Sequence, residues 1–167
     1  MIGSKRVIGV CLTKVHWSGR SEVVDRLNYY AYQNDYKLLV LNSFVDFYKN
    51  DANDVGAQSI YDVINYDIVD ALVVFNDAFN NKTLVDHLVD TAKAHKTPVV
   101  LVDGERPDCF SVLSDYDETY TELMCHVIRE HKAETTFYIA GLRNGDPHSD
   151  RRIACYRRAL EECGLPF

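Results

Sequence analysis

Val7-Ile8-Gly9-Val10-Cys11-Leu12 is a short continuous apolar run, followed at once by Thr13-Lys14-Val15-His16-Trp17. Such a run, bounded by polar residues, reads as a strand buried on both faces. The same signature recurs at Lys37-Leu38-Leu39-Val40-Leu41, at Ala71-Leu72-Val73-Val74-Phe75 and, after Pro98, at Val99-Val100-Leu101-Val102. Helical spacing fills the gaps. Ser21 to Gln33 carries Val23, Val24, Leu27, Tyr30 and Ala31; Asn53 can cap a helix with Val55, Ser59, Ile60, Val63 and Ile64; Leu84, Val85, Leu88, Val89 and Ala92 mark a third. A regular β-α-β-α-β-α-β order predicts an α/β fold, a doubly wound parallel sheet with strand order 2-1-3-4-5.

Beyond residue 104 the pattern loosens. Phe110 to Leu113 reads as a brief strand, Asp115 or Asp117 opens a helix bearing Tyr120, Leu123, Met124, Val127 and Ile128, and Thr136 to Gly141 reads as another strand. After the loop Leu142 to His148, Ser149 is a good cap for a helix with Ile153, Tyr156, Leu160 and Cys163, and Gly164 sits at its C′ position.

Composition narrows the function classes. The chain has 167 residues and a formal charge of −7, with no basic stripe for nucleic acid and no polybasic patch for a membrane surface. No apolar run approaches the roughly 20 residues of a membrane span. Five cysteines (11, 109, 125, 155, 163) without a C-x-x-C pair read as reduced thiols, so a cytoplasmic setting is expected. The motifs of dinucleotide and nucleotide-phosphate binding and the G-x-S-x-G nucleophile elbow are all absent, and the six histidines are scattered. No catalytic residue, cofactor or metal is therefore expected.

Ligands of open parallel sheets sit outside the carboxyl ends of the strands. Those ends carry Thr13, Lys14, His16 and Trp17, then Asn42 and Ser43, Asn76 and Asp77, Asp103 and Gly104, and Asp115. A rim of amides, carboxylates and one indole suits small molecules bearing hydroxyls or amines. The same residues can cap helices or close turns, and Trp17 can simply cover the core. The cluster Tyr29, Tyr30, Tyr32 is either helix packing or a partner surface. Arg151, Arg152, Arg157 and Arg158, interleaved with Glu161 and Glu162, read as a solvated helical face, with Arg152 beside the apolar stripe.

The order of these pieces resembles the effector-binding core of the lactose-repressor (LacI/GalR) family, which has a periplasmic-binding-protein-like fold. The matching stretches are Arg6 to Val10, Asn34 to Leu38, Ile68 to Val74, Thr97 to Asp103, Val112 to Asp115 and Ser149 to Leu160, with Cys155 where the family has glycine. More narrowly, Leu41-Asn42-Ser43-Phe44 with Asp46 to Asp51 resembles the sensor domains that precede GGDEF diguanylate cyclase domains in some bacteria. Only six residues precede Val7, too few for a helix-turn-helix headpiece. The resemblance implies a first lobe over residues 1–132, the first β-α unit of a second lobe over 133–167, and a longer protein of which this is the N-terminal portion. It also implies binding of a sugar, a nucleoside or a similar polar metabolite, pairing as a homodimer, and signalling to an attached output domain, a GGDEF cyclase or else a repressor's DNA-binding part. The expected ligand-binding residues are Thr13, Trp17, Asn76, Asp77, Asp103 and Asp115, with Arg152 reaching the ligand from the second lobe.

Overall fold

The computed structural model describes residues 6–17, 19–45, 51–79, 81–140 and 147–167. Its elements run β1 (Arg6–Thr13), α1 (Arg20–Gln33), β2 (Tyr36–Ser43), α2 (Ala52–Gln58), β3 (Ala71–Phe75), α3 (Asn76–Phe79), α4 (Lys82–Ala94), β4 (Val99–Val102), β5 (Phe110–Val112), α5 (Asp117–Glu130) and α6 (Pro147–Cys163). Two compact units divide the chain, residues 1–113 and 114–167.

The first unit is a five-stranded sheet in the order β2-β1-β3-β4-β5 with every neighbouring pair parallel, as the alternating pattern predicts. β1 pairs along its whole length with β2, from Arg6 beside Tyr36 to Thr13 beside Ser43, and Ile8 to Cys11 pair with β3 on the other side. Its entry is fixed by reciprocal bonds: the Val7 N–H donates to Asp70 Oδ2 at 2.6 Å and the Asp70 N–H to the Val7 carbonyl at 2.8 Å. Alternate residues of the strands feed two cores. Cys11, Leu72, Val74 and Leu101 pack with Tyr61 and with the α4 stripe Leu84, Val85, Leu88, Val89 and Ala92, every member of which was expected. Val10, Leu12, Val73 and Phe75 face the other way, against Val24 and Leu27 of α1.

Several local expectations are corrected. α2 is capped by Asp51, whose Oδ1 accepts from the N–H groups of Asn53 and Asp54, so Asn53 is the second residue of the helix rather than its cap. Ile64 is buried as expected, but Val55 and Val63 are exposed; the helix stops at Gln58 and passes into a 3₁₀ turn, Ser59–Tyr61, that brings Tyr61 inward as well. Tyr29, Tyr30 and Tyr32 are exposed rather than packed on the sheet; Ala31 alone of α1 is fully buried.

In the second unit α5 packs on α6 through Ile128, Tyr156 and Leu160, with Met124 and Tyr138 alongside. The compact unit that holds α5 and α6 runs from Ser114 to Phe167. α5 opens at Asp117, one of the two starts expected, with Tyr116 as the residue before it. α6 begins at Pro147, not after Ser149, a proline being pre-organised for the first helical position. The helix ends as expected: Gly164 has φ 71°, its N–H reaches the Glu161 carbonyl at 3.1 Å, and the Leu165 N–H reaches Leu160 at 2.9 Å. The strand expected over Thr136 to Gly141 does not form among the described residues. Residues 136–140 lack a neighbouring strand and are held by Tyr156, whose hydroxyl donates to the Thr136 carbonyl at 2.9 Å and whose ring stacks on Tyr138. Phe137 and Ile139 are 90% and 93% exposed.

The burial pattern makes a direct prediction. Leu88, 2% exposed, should cost about 2–5 kcal/mol when replaced by alanine, whereas Val63→Ala, at a 69% exposed site, should cost under about 1 kcal/mol. Urea unfolding of the two variants checks the difference.

Candidate functional site

At the carboxyl edge of the first unit's sheet the chain changes direction. β2 lies on one side of β1 and β3 on the other, so α1 and the α3–α4 segment leave toward opposite faces; this is the topological switch point, the place where open α/β sheets form a ligand crevice. Thr13 ends β1 and is buried. Its hydroxyl donates to the Val45 carbonyl at 2.7 Å and lies 3.2 Å from the Ser43 carbonyl, which ties β1 to the exit of β2. Lys14 then turns the chain with φ 52°. Its backbone N–H bonds Ser43 at 2.8 Å, while the Val15 N–H is taken by Asn42 Oδ1 at 2.9 Å. That turn projects Trp17 outward, 55% exposed, with the Lys14 ammonium 4.4 Å from its ring centroid, a cation–π contact. His16 stacks on Phe44 across the β1 and β2 exits, with centroids 5.8 Å apart.

β3 delivers Asn76 and Asp77 as the first two residues of α3. Asn76 Nδ2 donates to the Asp103 carbonyl at 3.0 Å, joining the ends of β3 and β4. This approach explains Gly104: a Cβ there would sit 2.5 Å from Asn76 Cβ and 2.6 Å from its Cγ. Asp103 takes φ 51°, a conformation aspartate tolerates better than most side chains, and its N–H bonds Val112 at 2.8 Å. Asp77 meets Arg20, the first residue of α1, at 3.4 Å; the other arm of that guanidinium donates to the Thr13 carbonyl at 3.0 Å. The five expected positions in this unit therefore share one edge, with Trp17 and Asp77 presented outward, Asn76 and Asp103 joined to each other, and the Thr13 hydroxyl spent on the backbone. Arg20 was not among them. Its partner is 57 positions away and no local pattern links the two.

The layer beneath the rim is buried. The Tyr61 hydroxyl, raised in pKa chiefly by burial, donates to the Leu12 carbonyl at 2.7 Å, and burial pushes the Cys11 thiol up to about 12. Outside, Arg106 bonds Asp90 at 2.8 Å, Asp108 at 3.1 Å and Asp86 at 3.2 Å, fastening the β4–β5 connection to α4. Hydrogen bonds from Lys93 and Arg106 hold the Asp108 carboxyl well below the usual carboxylate range. A concavity of about 380 Å³ lies away from this rim, between Asp62, Asn65, Tyr66 and His95, where the Tyr66 and His95 rings stack at 4.9 Å. Among the described residues no cluster of three or more His, Cys, Asp or Glu is placed to hold a metal.

In the second unit Asp115 is exposed, with Arg151 at 3.8 Å. Arg152 is exposed on the second turn of α6, and its guanidinium carbon lies 5.7 Å from the Tyr116 ring centroid. The Tyr116 hydroxyl bonds His148 Nδ1 at 3.0 Å, and Arg151 pairs with Asp117 at 3.0 Å. The second unit thus brings Asp115 and Arg152 to the paired N-terminal ends of α5 and α6. The segment Asp46 to Asn50, the loop 141–146, and Gly141 of the expected strand lie outside the described residues.

No family model matches the sequence, and no curated protein does. Solved structures do. The transcription regulator CcpA of Lactococcus lactis superposes with a TM-score of 0.73 at 22% identity, over 98% of this chain and 56% of that one. A putative ribose operon repressor from Burkholderia thailandensis gives 0.70 at 22%, over 97% and 57%. An ABC transporter solute binding protein from Clostridium phytofermentans, with bound β-D-glucose, gives 0.70 at 12%, over 94% and 48%. The chain spans about half the length of the structures it matches. The fold is periplasmic-binding-protein-like, and no helix among the described residues is long and apolar enough to cross a membrane.

The Gly104 contact yields a test. Gly104→Ala should drive Asn76 off the Asp103 carbonyl and cost about 1–3 kcal/mol, while Asn76→Ala alone costs about 0.5–1.5 kcal/mol. Combined, the two should cost somewhat less than their sum in urea unfolding, because both remove the same hydrogen bond and the alanine at 76 relieves the contacts with Cγ and Nδ2, while the Cβ–Cβ contact of 2.5 Å remains.

Proposed function

We propose that this chain is part of the effector-binding core of a LacI/GalR-type transcriptional regulator, and that it binds a neutral polar small molecule, a sugar above all. One observation carries the reading: the switch point of the 2-1-3-4-5 sheet, with Trp17, Arg20, Asn76 and Asp77 at the strand ends on either side of it, in a fold shared with regulators and a glucose-bound solute binding protein. An exposed indole gives a flat apolar face for a sugar ring, and the amide, carboxylate and guanidinium supply both donors and acceptors for its hydroxyls. Binding is the whole task assigned to these residues, with no chemistry performed on the ligand. In the full-length protein residues 1–132 form one lobe and Asp115 and Arg152 serve the same ligand, Arg152 from the other lobe. Lobe closure on the ligand then signals to an output part. The regulator's DNA-binding part is preferred as that output; a GGDEF cyclase rests on the resemblance of Leu41 to Asp51 alone. Exposed Tyr29, Tyr30 and Tyr32, with Leu39 and Val40 of the edge strand β2, support pairing with a second copy.

Trp17 is the sole tryptophan, so its emission reports the rim without labelling. Titration with D-glucose, D-ribose or sucrose should shift that emission and raise the melting temperature. Asn76→Ala should weaken whichever sugar binds about tenfold, the scale of one lost hydrogen bond. If none of the neutral sugars moves either signal while a nucleoside does, the sugar reading falls.

A further inference from the structure

We propose that Asp77 serves as an internal anion for Arg20, and that the pair makes the rim selective for neutral polyhydroxylated ligands over phosphorylated or carboxylated ones. The inference rests on the reading of this edge as a polar-ligand site. Arg20 stands at the first position of α1, where the positive end of the helix dipole disfavours a cation, and Gly19 before it offers no side-chain acceptor. Left alone, that guanidinium and the helix end would together gather anions. The structure does not leave it alone. One arm is bound to the Thr13 carbonyl at 3.0 Å, and the other faces Asp77 Oδ2 at 3.4 Å, brought from the far side of the crevice by β3.

The two side chains are 19% and 33% exposed, so solvent screens their attraction less than it would a surface pair. At 3.4 Å the contact is loose enough for a ligand hydroxyl to bridge it, donating to the carboxylate and accepting from the guanidinium. An anionic group at the same place meets the Asp77 carboxylate at close range and must displace it to reach Arg20. The Lys14 ammonium, the nearby cation of the β1 turn, lies over the Trp17 ring.

The experiment uses inorganic phosphate as the probe, at about 10 mM and matched in ionic strength with chloride so that general salt stabilisation cancels. Asp77→Asn keeps the shape and removes the charge. Its melting temperature should rise by about 3 °C with phosphate, while the wild type moves by under about 1 °C. Asp77→Ser should behave as Asp77→Asn, and adding Arg20→Gln to Asp77→Asn should abolish the gain. No gain in either Asp77 variant, or a gain that survives loss of Arg20, overturns the proposal. A wild type that ignores every neutral sugar while Asp77→Asn gains phosphate stabilisation sinks the sugar reading and leaves the charge pairing in place. Sugar binding by the wild type with no phosphate gain in Asp77→Asn does the reverse.

Discussion

The constraint on which the first unit depends is the pairing of β1 on both sides. Once β2 occupies one edge of β1, β3 can only add to the other, and the connections must leave toward opposite faces of the sheet. The crevice is a consequence of that reversal rather than of any loop. It is also why the strands read as unbroken apolar runs: Val10, Cys11 and Leu12 each face a hydrophobic layer, whichever side they point to. The Asp70 carboxylate at the entry of β1 and the Thr13 hydroxyl at its exit pin the same strand at both ends, so the register that places the rim residues is set by polar groups outside the core.

The rim shows how polar residues are divided between holding the fold and meeting a partner. Thr13 and Asn42 spend their side chains on backbone groups, and Asn76 spends one N–H of its amide on the Asp103 carbonyl at a place that only glycine at 104 permits. What faces outward is then held in place by groups that do not. Arg106 extends this outward, since three carboxylates from α4 and from its own loop fasten the segment that carries Asp103 and Gly104.

What could be read from the sequence follows the range of the interaction. The α4 stripe was legible in full because burial there is decided by a 3.6-residue period against a sheet. The strand order was legible because parallel connections leave few alternatives. Helix starts were less so: Asp51 and Asn53 are both good caps, and only the local turn selects the first. Of the three tyrosines of α1 only Tyr30 belongs to the apolar spacing read there, yet all three are exposed on the helix that leads into the edge strand β2. Residues 136–140 have strand composition, but a strand exists only where another strand completes its hydrogen bonds, and here Tyr156 anchors the segment instead.

Arg20 marks the limit of that legibility and the reason for it. A lone arginine after a glycine at the start of a helix runs against the dipole and carries no motif. Its meaning comes from Asp77, supplied by a strand that pairs with β1 only after the chain has crossed the sheet twice. Such a pair can be recognised only when both ends of the crevice are in hand, because neither the charge nor its neutralisation is a local property. Binding sites at switch points share this feature in general: each wall is built by a different crossover, so the walls come from distant stretches of sequence. The fold is written in periodicities a few residues long, whereas the chemistry of the crevice lies in single residues that those periodicities bring together.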